Sequence, residues 1–355
     1  MHLLPIITIA ATVMTGPPID GVPEALSSAS ENAIHVMVDS RRDHVLWEVE
    51  GIDSRMIRRV DFRKKKRKAK RAVRTNDIVS SPQTSNRKYG VIYNLFDEDG
   101  QRWSVAHNGQ EPVSPSAASD IHPSVSRDGA KLTFTSGRSG RGDIYVAATD
   151  ATNQPPKLVA RGQSVELSPQ WSPDGKTLAF LRLSERGSAL VALSNVRSAP
   201  TETILADERM SPVSFSWRPD GQELAFYRRD FTAGTTLNVV SAGGGVIKRR
   251  LSNVQVQPRG PAWLKHDGWS LVAIRTNDAL VAVTPSGDIW PLPTHSYGHG
   301  EVRTGSLFGK RVVVFTALGV GKDANASMVA RRVYVWAVPS TLKKPKTAGD
   351  LPDFQ

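Results

Sequence analysis

Four Asp-Gly pairs recur along this chain, at Asp128-Gly129, Asp174-Gly175, Asp220-Gly221 and Asp267-Gly268, at intervals of 46, 46 and 47 residues. Each sits in one repeated phrase. The clearest copy is Trp171-Ser172-Pro173-Asp174-Gly175-Lys176-Thr177-Leu178-Ala179-Phe180. A second begins at Trp217 and a third at Val125; a fourth begins at Trp263 with one extra residue before the turn. A fixed period of this length means a repeat architecture, in which each unit buries its apolar face against the next.

The unit reads as strands joined by tight turns. In Pro-Asp-Gly the proline presets φ, and the glycine accepts a positive φ without steric cost. The apolar run that follows, such as Thr177 to Leu183, is too short for a helix. A further strand, Ala189 to Ser194, precedes a second turn; its counterparts are Ser241 to Gly245 and Thr284 to Gly287. A short closing strand such as Ile247 to Leu251 ends the unit. Four antiparallel strands in about 46 residues make one propeller blade, so the fold class is all-β, a β-propeller. Weaker copies flank the four: Ser81-Pro82-Gln83 aligns with Ser168-Pro169-Gln170, and Arg311 to Leu318 with Val333 to Val338 resembles the middle of a blade. The expectation is six blades over 81–340, with seven as the alternative. Residues 32–62 carry a hairpin, Ile34 to Val38 and Val45 to Val49, that either closes the ring or begins an extra blade. Residues 63–80 read as a basic linker and 341–355 as a tail.

Residues 1–31 contain an uncharged, mostly apolar run from Leu3 to Met14, too short to span a bilayer and suited to a signal peptide. No Lys or Arg precedes it, so export to the periplasm or beyond is set against a cytoplasmic location. No stretch reads as a transmembrane segment. The chain has no cysteine, which excludes disulfides, thiolate nucleophiles and cysteine-bound zinc. Net charge is +12, but the run Arg63 to Arg71 holds eight cations and no anion. The rest is nearly balanced, unlike a nucleic-acid binder with charge across its surface.

The phrase at 171–180 resembles the signature of the TolB-type repeat, also called the WD40-like or PD40 repeat. The resemblance is close in three units, fair in the fourth and loose elsewhere. It implies a propeller and, by family habit, an exported interaction module or the propeller part of a peptidase. Against that background, residues 1–80 are expected to lack the α/β domain that precedes the propeller in TolB, and the roughly 15 residues after the last blade are not expected to include a hydrolase domain. The motif describes how a blade turns and packs, not a reaction.

No catalytic residues and no cofactor emerge. A Gly-x-Ser-x-Gly elbow is absent. Gly319 to Asp323 lacks the glycine and hydroxyl of a phosphate loop and reads as a connection. His295 and His299 share a proline- and glycine-rich loop with Glu301 nearby, read as loop histidines before a metal pair. Trp171, Trp217 and Trp263 recur at one blade position as packing residues.

A sharper pattern is Arg182, Arg228 and Arg275, each eight residues beyond its turn aspartate. With Arg138 they predict an arginine ring on one propeller face, beside Asp120, His122 and Glu166 near the axis. Arginine pairs bidentately with carboxylate or phosphate. Glu185, Asp230 and Asp278 lie in the same loops as neutralising partners. The basic patch Lys64, Lys65, Lys66, Arg67 and Lys68 offers a second, salt-sensitive contact with nucleic acid or acidic lipid, or none. The expected function is a non-enzymatic scaffold that binds a protein or peptide partner, or an anionic glycan, on the arginine face. The alternative is a propeller lyase or hydrolase acting on an anionic saccharide, with a metal held in the central funnel by His122, His295 or His299.

Overall fold

In a computed structural model, the structure describes residues 23–340 apart from residues 29, 52–53, 65–67, 74–77, 85–89, 108–111, 150–153, 161, 197, 231–233, 266–267, 293, 295 and 321–329. The chain forms seven antiparallel sheets arranged as blades. Blade 4 shows the pattern: inner strand Val165–Trp171, then Leu178–Ser184, Gly187–Ser194 and outer strand Thr201–Ala206. Blade 3 begins at Asp120–Val125, blade 5 at Pro212–Trp217 and blade 6 at Ala262–Lys265. Blade 2 opens with Val79–Thr84 and has three strands among the described residues.

The ring has seven blades, the alternative reading, in place of the six first expected. Residues 32–71 build a complete blade 1 from Asn32–Asp39, His44–Glu50, Arg55–Asp61 and Lys70–Arg71. The last two strands were hard to read because their sequences are mostly cationic: only Ile57 and Val60 of Arg55–Asp61 are buried. The described ends of the basic run therefore belong to blade 1: Arg63 and Lys64 follow its third strand, and Lys70 and Arg71 form its outer strand, paired with Arg59 and Arg58. Closure comes from an earlier segment. Glu24–Ala25 is the outer strand of blade 7, antiparallel to Arg332–Ala337, whose other strands are Val302–Leu307 and Lys310–Ala317. Leu26 N–H and Ser27 Oγ extend that contact to Val333.

The core is not one mass. Seven apolar clusters each fill the gap between two adjacent blades, including the gap between blades 7 and 1. Burial in each sheet is two-sided, which explains the continuous apolar second strands. Trp171, Trp217 and Trp263 lie in successive gaps. Trp217 Nε1–H donates to Gln170 O at 3.1 Å, and Trp263 Nε1–H to Ser216 O at 3.4 Å, each across a blade boundary.

The repeated turns have the expected conformation. Gly129, Gly175, Gly221 and Gly268 have φ of 74, 70, 78 and 78°. The aspartate does more than start the turn: Asp174 Oδ1 accepts from Lys176 N–H at 3.0 Å and from Ser172 Oγ–H at 2.6 Å. Those bonds hold its carboxyl below the ordinary range, the hydroxyl contributing most. In blade 5, Arg218 takes the place of the serine. Asp267 lies outside the described residues.

Candidate binding site in the axial channel

The inner strands surround a cavity of about 330 Å³. Its lining comes from six of the seven blades and includes Ser81, Gln83, His122, Gln170, Arg259 and Arg303. A recurring bulge shapes the wall. Ser81, His122 and Ser168 have φ of 53, 55 and 54°, each before a proline, and the pairing with the second strand slips at each. A bulge turns backbone groups out of the ladder and next to a site. Those groups then need partners.

Two buried carboxylates supply them. Glu48, on the second strand of blade 1, accepts from Ser81 N–H at 2.8 Å. Glu301, just before blade 7, accepts from Val36 N–H at 3.1 Å and contacts His35 Nδ1 at 3.2 Å. Each carboxylate also holds an arginine. Arg259, entering blade 6, reaches across the channel to Glu48 at 3.1 Å and to Pro82 O at 3.4 Å. Arg303 pairs with Glu301 and donates to Gly260 O at 2.9 Å. The polarity of this arrangement is directional. The Glu48 and Glu301 side chains are 1% and 2% exposed, whereas Arg259 and Arg303 are 20% and 14% exposed and line the cavity. The cavity therefore sees cations with their counter-charges behind them. Burial lowers the pKa of Arg303 despite Glu301, and it lowers those of His35 and His122 as well. Burial thus disfavours the charged form of both imidazoles, against Glu301 and Glu48 in the case of His35. His122 Nδ1 is buried without a hydrogen-bond partner in the channel wall.

Two of the four arginines of the expected ring are paired with carboxylates. Arg138 is held by Asp120 at 2.7 Å, by Ser136 and by Ser114, over the rings of Phe134 and Tyr145. Arg182 binds Glu166 at 2.9 Å and Glu202 at 2.7 Å. Arg228 and Arg275 are half-buried at the same level of blades 5 and 6; the cross-strand neighbour of Arg228 is Pro212, where blade 4 has Glu166 opposite Arg182. Glu166 is fully buried, and burial pushes its pKa up to about 7 although Arg182 opposes the shift. Arg182 is itself raised, chiefly by its hydrogen bonds to Glu202. The two directions are compatible: Glu202 carries the pairing, and Glu166 Oε2 is left buried without a partner.

Lys64 and Lys68 are exposed, while Lys65, Lys66 and Arg67 lie outside the described residues, as does His295. His299 is bound to Asp278 at 3.0 Å. Among the described residues no three histidine or carboxylate side chains converge as a metal site. Sequence reasoning passed over His35, Glu48, Arg259 and Arg303. A signal was present: Gln257-Pro258-Arg259 continues the series Ser81-Pro82-Gln83, His122-Pro123-Ser124 and Ser168-Pro169-Gln170, with an arginine at the channel position.

Comparison with known proteins fits the repeat pattern. Residues 104–267 match the TolB beta propeller domain family, PD40. These blades are TolB-like. The Tol-Pal system protein TolB of Xanthomonas campestris pv. campestris is 33% identical over 132 residues, covering 33% of this chain. The match spans only 29% of that protein. Among solved structures, an oligogalacturonate lyase from Vibrio parahaemolyticus superposes with a TM-score of 0.65 at 10% identity, over 93% of this chain and all of that one. A puromycin-hydrolyzing peptidase from Mycobacterium tuberculosis gives 0.61 at 14% identity, over 86% of this chain and 53% of the other. At such identities the likeness is one of fold. No described helix is long and apolar enough to cross a membrane.

Proposed function

We propose that this TolB-like propeller is an interaction scaffold of the cell envelope whose axial channel binds without catalysis, and that an acidic segment of a protein partner enters that channel. One observation carries the reading: Arg259 and Arg303 face the cavity while Glu48 and Glu301 stay buried behind them. A guanidinium has five donors in a fixed fork, so each arginine has donors left for an incoming carboxylate. Gln83, Gln170 and Ser124 supply neutral hydrogen-bonding groups to an extended chain. The similarity to a Tol-Pal system protein supports export and a protein partner.

The test is binding of short fluorescent peptides rich in Asp and Glu. Arg259→Gln should weaken binding at least about tenfold, the loss of one charge-assisted pair. Ser124→Trp, which fills the cavity, should abolish it. Affinity unchanged in both variants removes the channel as the site. Oligogalacturonate as competitor separates the readings: displacement with turnover favours the saccharide enzyme, and peptide binding without it favours the scaffold.

A further inference from the structure

Where blades 6 and 7 meet, among residues that do not line the cavity, three side chains form a relay that the scaffold reading does not use. His299 Nε2 lies 2.8 Å from Ser296 Oγ. His299 Nδ1 lies 3.0 Å from Asp278 Oδ1. Asp278 also accepts from the backbone N–H groups of His299, at 2.9 Å, and Gly298. The Thr294 and Ser296 hydroxyls are 2.6 Å apart.

The proton positions follow from these partners. Asp278 is acceptor-only when ionised, so Nδ1 carries the imidazole proton and Nε2 is a free acceptor facing Ser296. Ser296 then donates to Nε2 and accepts from Thr294. Burial tends to raise the Asp278 carboxyl, but the bonds from His299 and the two N–H groups outweigh it and hold it below the ordinary range. The frame is stiff. Ser296–Tyr297 pairs with Gly319–Val320 in a two-stranded ribbon. Gly298 has φ 65°, and a Cβ there would come within 2.5 Å of Leu318. The His299 ring stands 5.7 Å from that of Phe315, and the residue is 4% exposed. Ser296 is half-buried, whereas His299 is buried.

We propose that Ser296, His299 and Asp278 form an acyl-transfer site in which Ser296 is the nucleophile toward small esters. A nucleophile hydrogen-bonded to a base that is oriented by a third group is the arrangement such chemistry requires. Ser296 Oγ attacks the ester carbonyl carbon as its proton passes to His299 Nε2. The ester C–O bond breaks, and the departing alkoxide leaves as alcohol with that proton. Water then attacks the acyl-serine, gives its proton to Nε2, and the acid departs as Ser296 regains a proton. A small ester fits because an amide nitrogen must be protonated before it leaves and its chain needs a groove to hold it. This inference stands apart from the axial channel, whose variants leave it untouched.

The experiment treats the full chain with an alkyl fluorophosphonate, which phosphonylates Ser296 Oγ and releases fluoride and the serine proton as HF. Mass spectrometry should find one adduct, on Ser296. It should be absent in Ser296→Ala and form about 100-fold or more slower in His299→Gln. No adduct on Ser296, or the same rate without His299, overturns the proposal. A second variant guards against misfolding of the loop. The chain has no cysteine, so Ser296→Cys carries a single thiol. Its alkylation by iodoacetamide should follow a pH midpoint more than about one unit below the ordinary ~8.5, restored when His299→Gln is added. An ordinary midpoint in Ser296→Cys also overturns it.

Discussion

The seams between blades are stitched in two ways. Between blades 4 and 5, and between 5 and 6, neutral groups cross the boundary: Gln170 donates to Phe215 O at 2.9 Å, Ser214 to Gln257 O at 2.7 Å and Ser216 to Pro261 O at 2.6 Å. Between blades 7 and 1, and between 1 and 2, buried carboxylates Glu301 and Glu48 accept from the backbone of the next inner strand. These neutral stitches join regular repeats, whereas the buried carboxylates stand at the two seams that flank blade 1. A hydroxyl or amide lost from a seam costs one modest hydrogen bond. A buried carboxylate must instead bring a cation to the axis, and this is how the closing region acquires Arg259 and Arg303. In this molecule, closing the ring and charging the channel are one arrangement.

Removing Glu301 should show the difference most strongly. Glu301→Ala leaves the buried Val36 N–H without its acceptor and Arg303 without its counter-charge, and a cost of about 4 kcal/mol is expected in urea denaturation. A loss no larger than that of a neutral stitch would erase the distinction between the seams. The neutral seam has a steric weak point rather than an electrostatic one. Gly260, at φ 83°, lies so near blade 5 that a Cβ would fall 1.9 Å from Phe215 O. Gly260→Ala should cost about 3 kcal/mol by forcing the blades apart. The pH profile separates burial from pairing. The Glu166 pKa is raised to about 7 in the folded chain, so the native state holds its proton more tightly than the unfolded state. Its stability contribution is complete below about 4.5 and declines as pH rises through about 7, by on the order of 2 kcal/mol. Thermal melts from pH 4 to 8 should show that decline in the native protein and lose it in Glu166→Gln. The smallest effect is Ser214→Ala, about 1 kcal/mol, with the melt still cooperative.

Legibility followed local pattern. Blades 3 to 6 were plain because a turn in which only glycine is unstrained recurs at a fixed interval. Blade 1 was half legible: its apolar hairpin declared itself, while Arg55–Asp61 mixes three arginines with its apolar residues and leads into the cationic run. The candidate site was least legible. Neutralisation of Arg182 was expected from Glu185 in its own loop, whereas the acids that hold it are Glu166 and Glu202, and Glu202, twenty residues on, gives no sign in the sequence of lying against it. Glu48 looked like an ordinary strand glutamate, since its partner Arg259 stands 211 residues away across the axis.

The linear chain by itself determined the blade, its turns and its period, because each depends on torsional preferences and side-chain alternation over a few dozen residues. Tertiary structure alone decided how many blades the ring holds, which segment seals it and which charges face the channel. Each of those depends on groups hundreds of residues apart coming together, and their pairing has an energy only when the whole ring has removed them from water.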